Sequence, residues 1–449
     1  MSENAKLTRG SISGHLVGQT APMIIGVAAI MSIGLVDSYF IGQLGSGQLA
    51  AIAFIFPVGV ALASLGVGVM VGVNSVVARA IGEGDDDKAA RRANFGIVFA
   101  VAVGLVLGLL LFALIGPLFR LMNAQEELLP YIMTYMQPFS LGFPLQMAIM
   151  GLNGVLRGQG EARKTSYVSV CYAAANWVLD PILITGAFGI GGFGIVGAAY
   201  ATLIGWACGA VLAVILIRKT RLPINPMLLR NCSLVDPASA ILKVAGPAAF
   251  SNAINPIGLS ILTSLVAIEG SAAVAGFGAA GRLQSFAVVP LLALSGSIGA
   301  IVGQNWGAGQ IDRARQAALR AGAFCIFYGL IIAVGLFSAG EWFADFFTDD
   351  PAVIRQFDLY LRIAAWGYAG YGLLIVGNGI LNAVGKAGWA LAQSCFRVFA
   401  VMLPIAWFLR GSWGSTAVYS AELAANLIGG AIAALVVWRI LARGKDKPR

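Results

Sequence analysis

Apolar stretches of membrane-span length recur along this chain, separated by charged or glycine-rich turns. Twelve of them fall at about 17–41, 49–78, 93–116, 130–152, 166–186, 195–217, 239–266, 272–303, 318–340, 356–380, 389–409 and 416–438. Runs such as GIVFAVAVGLVLGLLLFALIG, from Gly96, show none of the polar alternation that barrel strands require. Lipid offers no water to backbone N–H and C=O groups, so each run predicts a helix that bonds its own backbone. The pattern predicts an all-α integral membrane protein of twelve transmembrane helices.

The long polar connection on the basic side, 218–237, sits at the midpoint. It divides the chain into an N-terminal six-helix lobe (1–217), a cytoplasmic linker (218–237) and a C-terminal six-helix lobe (238–449). The halves repeat. NGVLRGQG from Asn153 returns as NGILNAVG from Asn378, an offset of 225 residues. The same offset carries IGEGDDDKA (from Ile81) onto WGAGQIDRA (from Trp306), Pro22 onto Pro247, and Gly45 onto Gly270. One constant offset across a whole half is the mark of duplication. Six spans per copy is an even number, so the copies run parallel, as in transporters with a pathway between two bundles.

Composition agrees with the pattern. Charged residues are 11% of the chain, less than half the share of an ordinary soluble domain, and mean hydropathy is +0.85. The basic residues behind the net charge of +9 cluster in alternate loops, including ARAIGEGDDDKAARR, RGQGEARK, RKTRLPINPMLLR and DRARQAALR. Such a bias places both termini in the cytoplasm of a multi-pass protein of the cell inner (plasma) membrane. A nucleic-acid partner would need a continuous basic face with interleaved aromatics, which is absent. The five cysteines (171, 208, 232, 325, 395) are scattered and offer neither a disulfide framework nor metal spacing. A cleavable signal is not expected, because the first apolar run is of full span length and lacks a small-residue exit. A monomer is expected.

Against this apolar background the fifth run contains NWVLDPILI, with Asp180 and Pro181 well inside it. An ionised Asp at the centre of a membrane helix costs about 2.5–3.5 kcal/mol, and intramembrane acids usually mark ion or proton pathways. Measured from the outer ends of their spans, Asp37, Asp180 and Thr202 all lie at depths of roughly 6–11 Å. Asn176 is one turn below Asp180 on the same helix face. Pro181 cannot donate to the carbonyl of Trp177, which frees one more oxygen. The set is therefore a candidate cation-coupling site, with two nearby acids whose repulsion favours holding a proton. Sodium at Asp37, Asn176, Asp180 and Thr202 is the other occupant the donors allow. Adding the repeat offset to Asp37, Asn176 and Asp180 lands on Leu262, Val401 and Ile405, so the acids are expected to act from the N-terminal half alone.

At these residues the chain resembles the multidrug and toxic compound extrusion (MATE) transporters, and most closely their DinF-like branch. The resemblance rests on GLVDSYFIGQLG, ARAIGEGDDDKA, NGVLRGQGEARKT, NWVLDPILI and GIVGAAYAT, and spans nearly the whole chain. It implies a secondary antiporter, not an enzyme, that exports varied, often cationic or amphipathic compounds by alternating access, driven by H+ (favoured) or Na+ and using no cofactor. It assigns Asp37, Asn176, Asp180 and Thr202 to an N-lobe cation site and makes Pro22 a bend in the first helix, with Pro181 a second hinge. Relatives with a C-lobe cation site use acids where this chain has Asn255 and Tyr371. Arg282 and Arg397 are candidate cavity residues beside them.

Other motifs reduce to simpler readings. GIGGFG (from Gly189) has no preceding strand, and GILNAVGKA misses the phosphate-loop spacing. His15 is the only histidine and is expected at the interface. Asp85 to Asp87 fan around a helix start. Two rival functions remain: a flippase for lipid-linked oligosaccharide, which needs a more cationic cavity, and an intramembrane aspartyl protease using Asp37 and Asp180.

Overall fold

The computed structural model describes residues 5–443 except 190, 221, 223 and 231–234. Cys232, parts of the 218–237 connection and the basic tail beyond residue 443 lie outside the described residues. In the first half each predicted run is one helix: α1 (Ile12–Gly42), α2 (Ser46–Glu83), α3 (Asp86–Leu121), α4 (Leu129–Gly158), α5 (Ala162–Asp180) and α6 (Ile195–Arg218). In the second half α7 (Val235–Ala267) is followed by α8 (Ser271–Ala287) and α9 (Val289–Gly307), then α10 (Ile311–Phe347), which is kinked at Ala339. Next, α11 (Pro351–Ala364) passes through a 3-10 turn into α12 (Tyr368–Ala383), and α13 (Ala387–Cys395) widens into a π turn, Phe396–Met402, before α14 (Leu403–Trp413). The last helix is α15 (Ser415–Arg443).

The unbroken span expected over 272–303 is corrected by the structure, because α8 and α9 meet at Val288 with a 41° bend. Pro290 has no N–H for the carbonyl of Phe286, so the helical ladder breaks there. Among the described residues eleven spans pass on length and hydropathy, and this bent pair makes the twelfth.

The repeat is visible in the backbone. Gly45 and Gly270 (φ 134° and 111°), Gly84 and Gly309 (80° and 69°), and Gly160 and Gly385 (72° and 76°) are pairs at the same offset, all in the positive-φ region that glycine enters without strain. Asp85 caps α3 by accepting from the Lys88 N–H at 2.8 Å.

Helices α1–α6 pack into one bundle and α7–α15 into another, each with its own apolar core. The bundles meet at the end that carries α1's start and α15's finish. There α2 packs on α7 and α9, and α1 packs on α9. Close approach depends on small residues: Gly68 and Gly72 face Ala245 and Ala249, Gly82 faces the Gln304 backbone, and Gly307 faces Arg79. Polar clasps cross the same seam. Ser75 donates to the Asn382 carbonyl at 2.6 Å, Arg79 to Ala383 at 2.9 Å, and Gln304 to Gly158 at 2.9 Å. The short turn Lys6–Thr8 lies across the seam. Leu7 bonds both Gln304 and Asn305, while Lys6 pairs with Glu161. At the other end the bundles part around a cavity.

Candidate functional site

Asp180 is the last residue of α5, where the regular helix stops. Pro181 cannot donate to the preceding turn, and the chain continues as a π turn through Thr185, a local widening common at functional sites. Asp180 and Asn176 are completely buried, at 0% and 1% exposure. Asp37, near the end of α1, is a close neighbour of both. Tyr135 of α4 adjoins the two carboxylates and Thr202 of α6. The structure thus gathers all four cation-coupling candidates from three helices. Tyr135 was missed. The depth argument applied to the fourth run would have found it, since Tyr135 sits about 8 Å from that run's outer end.

Both carboxylate oxygens of Asp180, both amide atoms of Asn176 and Oδ1 of Asp37 are buried without a hydrogen bond of regular geometry among the described residues, although Asp37 stands close to Asp180 and Asn176. Each such atom costs about 1–3 kcal/mol when left unsatisfied. A cluster of them around one point calls for a missing partner, and carboxylate, amide and hydroxyl oxygens suit either a proton or a hard cation.

Asp37 also lines a cavity of about 1080 Å³ between the bundles. Its walls are mostly apolar, with Ile52, Phe56, Met136 and Phe139 from the first bundle facing Arg282, Ser285 and Phe286 of α8. Asp180 and Asn176 are not part of this lining. They sit behind Asp37, inside the first bundle, so Asp37 is the boundary between cavity and buried chamber.

Of the C-terminal candidates Arg282 lines this cavity, while Arg397, Asn255 and Tyr371 are not among its lining residues. They form a cluster of their own, with Arg397 buried and Asn255 and Tyr371 half-buried. Arg397 donates through Nε (3.0 Å) and Nη2 (2.7 Å) to Asn426 and through Nη1 to Asn255, and it stacks over Tyr371 at 5.0 Å. Asn255 in turn donates to the Tyr371 hydroxyl at 2.6 Å. Neutral dipoles and a ring face thus hold a guanidinium that pairs with no carboxylate among the described residues.

The second bundle also holds a buried acid that sequence reasoning missed. Glu422 of α15 is 5% exposed and accepts from Gln284 (2.9 Å) and Tyr360 (3.0 Å). Glu422 stands apart from the expectation that Asp37 and Asp180 act from the first half alone, since it is not at an offset position of either acid. Repeat logic pointed only at copies of Asp37 and Asp180. Of those positions, Leu262 and Val401 are apolar core and Ile405 packs against it. A lone acid in the twelfth run was the available signal.

Comparison with known protein families matches MatE over residues 22–182 and 247–408, most of both halves. The chain belongs to the MatE family. Among its relatives, this MatE chain is 34% identical over 414 residues to a protein of Shewanella oneidensis named FAD transporter, covering 90% of each. It is 25% identical over 429 residues to the Multidrug export protein MepA of Staphylococcus aureus, covering 94% of this chain and 92% of that one. Among solved structures, the Vibrio cholerae MATE transporter VcmN in the bent form superimposes with a TM-score of 0.91 at 28% identity, over 96% of this chain and 98% of that one. An outward-facing multidrug resistance MATE transporter reaches 0.93 over the full length of both; at 24% identity it speaks to fold alone. The MatE chain is thus a multi-pass membrane transporter and not an enzyme.

Proposed function

We propose that this chain is a cation-driven antiporter that exports amphipathic organic compounds by alternating access, with H+ as the favoured coupling ion and Na+ the alternative. One observation carries the reading: a buried chamber of unpartnered polar atoms opens through Asp37 onto a large apolar cavity between two bundles. The lobes are 1–217 and 238–449, joined by the cytoplasmic linker 218–237. Basic loops put the closed end in the cytoplasm of the inner (plasma) membrane, so this state faces outward. A cation loading at Asp37 and Asp180 removes one unit of negative charge from the pair, and the lobes then reclose around the change.

The test is export from proteoliposomes with either a pH or a sodium gradient imposed. Export is expected to quicken as the pH falls on the cavity side, since protonation loads the carboxylate pair. Insensitivity to pH with full response to sodium would make Na+ the coupling ion. Response to neither gradient would end the antiporter reading.

A second substrate reading, an anionic flavin dinucleotide, is favoured by Arg282 on the cavity wall and by the name of the Shewanella relative. FAD and ethidium compared in the same vesicles decide it. If the flavin is carried, Arg282→Ala should slow FAD export about tenfold, the scale of one charge-assisted contact, and leave ethidium unchanged.

Pro22 lies inside an unbroken α1, 15 residues before Asp37, so it can hinge the helix without touching the acid. Pro22→Ala should restore a backbone hydrogen bond and favour a straight form of α1 by about 1–3 kcal/mol. Cation binding is expected to survive while turnover drops severalfold. Unchanged turnover would leave rigid-body rocking of the lobes as the account.

A further inference from the structure

We propose that a groove on the outer face of the second bundle, between α10, α12 and α15, binds an anionic phospholipid. The acyl chain lies along a floor of small residues and the phosphate rests on Arg315. The groove holds about 330 Å³ and shares no residue with the central cavity. Its floor is Ala318, Gly322, Gly377 and Ala433, which recess the surface below neighbours such as Leu319 and Ile326. Those neighbours are exposed apolar side chains on a membrane-spanning helix, so the groove opens to lipid. Small residues of this kind usually admit a second helix. Among the described residues no other helix lines the recess, and its size suits a hydrocarbon chain.

The polar groups sit at one end only. Arg315 lies one turn into α10, and its guanidinium stands 5.7 Å from the ring centre of Trp438 on α15. Trp438 is half exposed, as in the aromatic belt at a membrane interface. Among the described residues the buried Arg315 Nε has no hydrogen-bond partner. The carboxylate contact seen there, Asp312 at 3.7 Å, is 70% exposed and holds it weakly. Arg439 and Arg443 add charge at the same end of α15. A cation and an indole at the interface, leading into an apolar trough along the span, match the order of headgroup and tail in a lipid. Basic pockets between helices on the cytoplasmic side commonly take anionic headgroups.

Native mass spectrometry of the delipidated full-length protein, titrated with dioleoyl phosphatidylglycerol or phosphatidylethanolamine, tests this. Wild type is expected to prefer phosphatidylglycerol about fivefold for each basic residue engaged. Arg315→Gln should lose that preference while still binding phosphatidylethanolamine. Ala434→Phe, at an exposed position on the groove wall, should weaken both. To locate the site, phosphatidylglycerol with brominated chains is expected to quench Trp438, read as the difference between wild type and Trp438→Phe. Equal binding of the two lipids by wild type, an unchanged preference in Arg315→Gln, or an unquenched Trp438 would overturn the proposal.

Discussion

Asp180→Asn and Asp37→Asn are each expected to reduce gradient-driven export to the level of empty vesicles, while both proteins insert and fold normally. The two variants fail for different reasons. Asp180 is fully buried and both its oxygens lack partners, so it is the group whose charge most needs an incoming cation. An amide of the same shape cannot take a proton, and it removes one negative charge from the chamber. Asp37 faces the cavity as well as the chamber, so its loss closes the route by which a cation reaches Asp180. Replacing an unpaired buried carboxylate by a neutral isostere relieves a burial cost, so thermal stability should hold or rise. Thermal unfolding in detergent beside the transport assay checks both halves of the prediction. Normal coupled export by either variant would remove the chamber from the mechanism. If the coupling ion is a proton, any residual flux in Asp37→Asn should also no longer depend on pH.

The second large effect belongs to the closed seam. A Cβ on Gly82 would collide with the backbone carbonyl of Gln304, and one on Gly307 with the carbonyl of Arg79. Neither clash can be relieved by turning a side chain, because both obstacles are backbone. Gly82→Ala and Gly307→Ala should therefore force the bundles apart at this end. An overpacking cost of about 1–3 kcal/mol shifts a two-state equilibrium by roughly 5- to 150-fold. The shift is towards the state in which the termini end is open, since separating the helices there removes the clash. Spin labels placed across the seam, one near Glu83 and one near Gln310, are expected to move apart. A second pair at the opposite end, near Gly45 and Glu269, should draw together. Movement of the first pair without the second would mean local distortion instead of a switch between states. An unmoved first pair would show that this contact does not hold the seam closed.

Much of the site could be read from the chain because lipid makes polar residues conspicuous. In a span of apolar residues an acid such as Asp180 is costly and stands out, and helix rise alone puts Asp37 and Thr202 at the same depth. Depth, however, is one coordinate. It does not say which helices are neighbours or which way a side chain faces, so Tyr135, at the right depth on α4, went unnoticed. Arg282 and Arg397 looked alike in sequence, and packing separated them. One face of α8 turns Arg282 into the cavity, while Arg397, in the π turn of the fifth span of the second half, points inward to Asn255 and Asn426. Glu422 has no acidic counterpart at the 225-residue offset, where Gly197 stands, and a repeat marks only where the copies agree.

The sequence by itself determined the number of spans, the duplication and its 225-residue register, and the acids that break the apolar pattern. These follow from local physics: backbone groups must bond within a helix in lipid, helix length is set by bilayer thickness, and glycine is needed wherever φ turns positive. Tertiary structure alone decided which end of the seam is closed, that Asp37 borders the cavity while Asp180 is sealed behind it, and that α8 and α9 break at Val288. Those outcomes depend on contacts between residues hundreds of positions apart, such as Gly82 with Gln304 and Ser75 with Asn382. No pattern within one helix encodes such a contact, because its energy exists only once two surfaces have met.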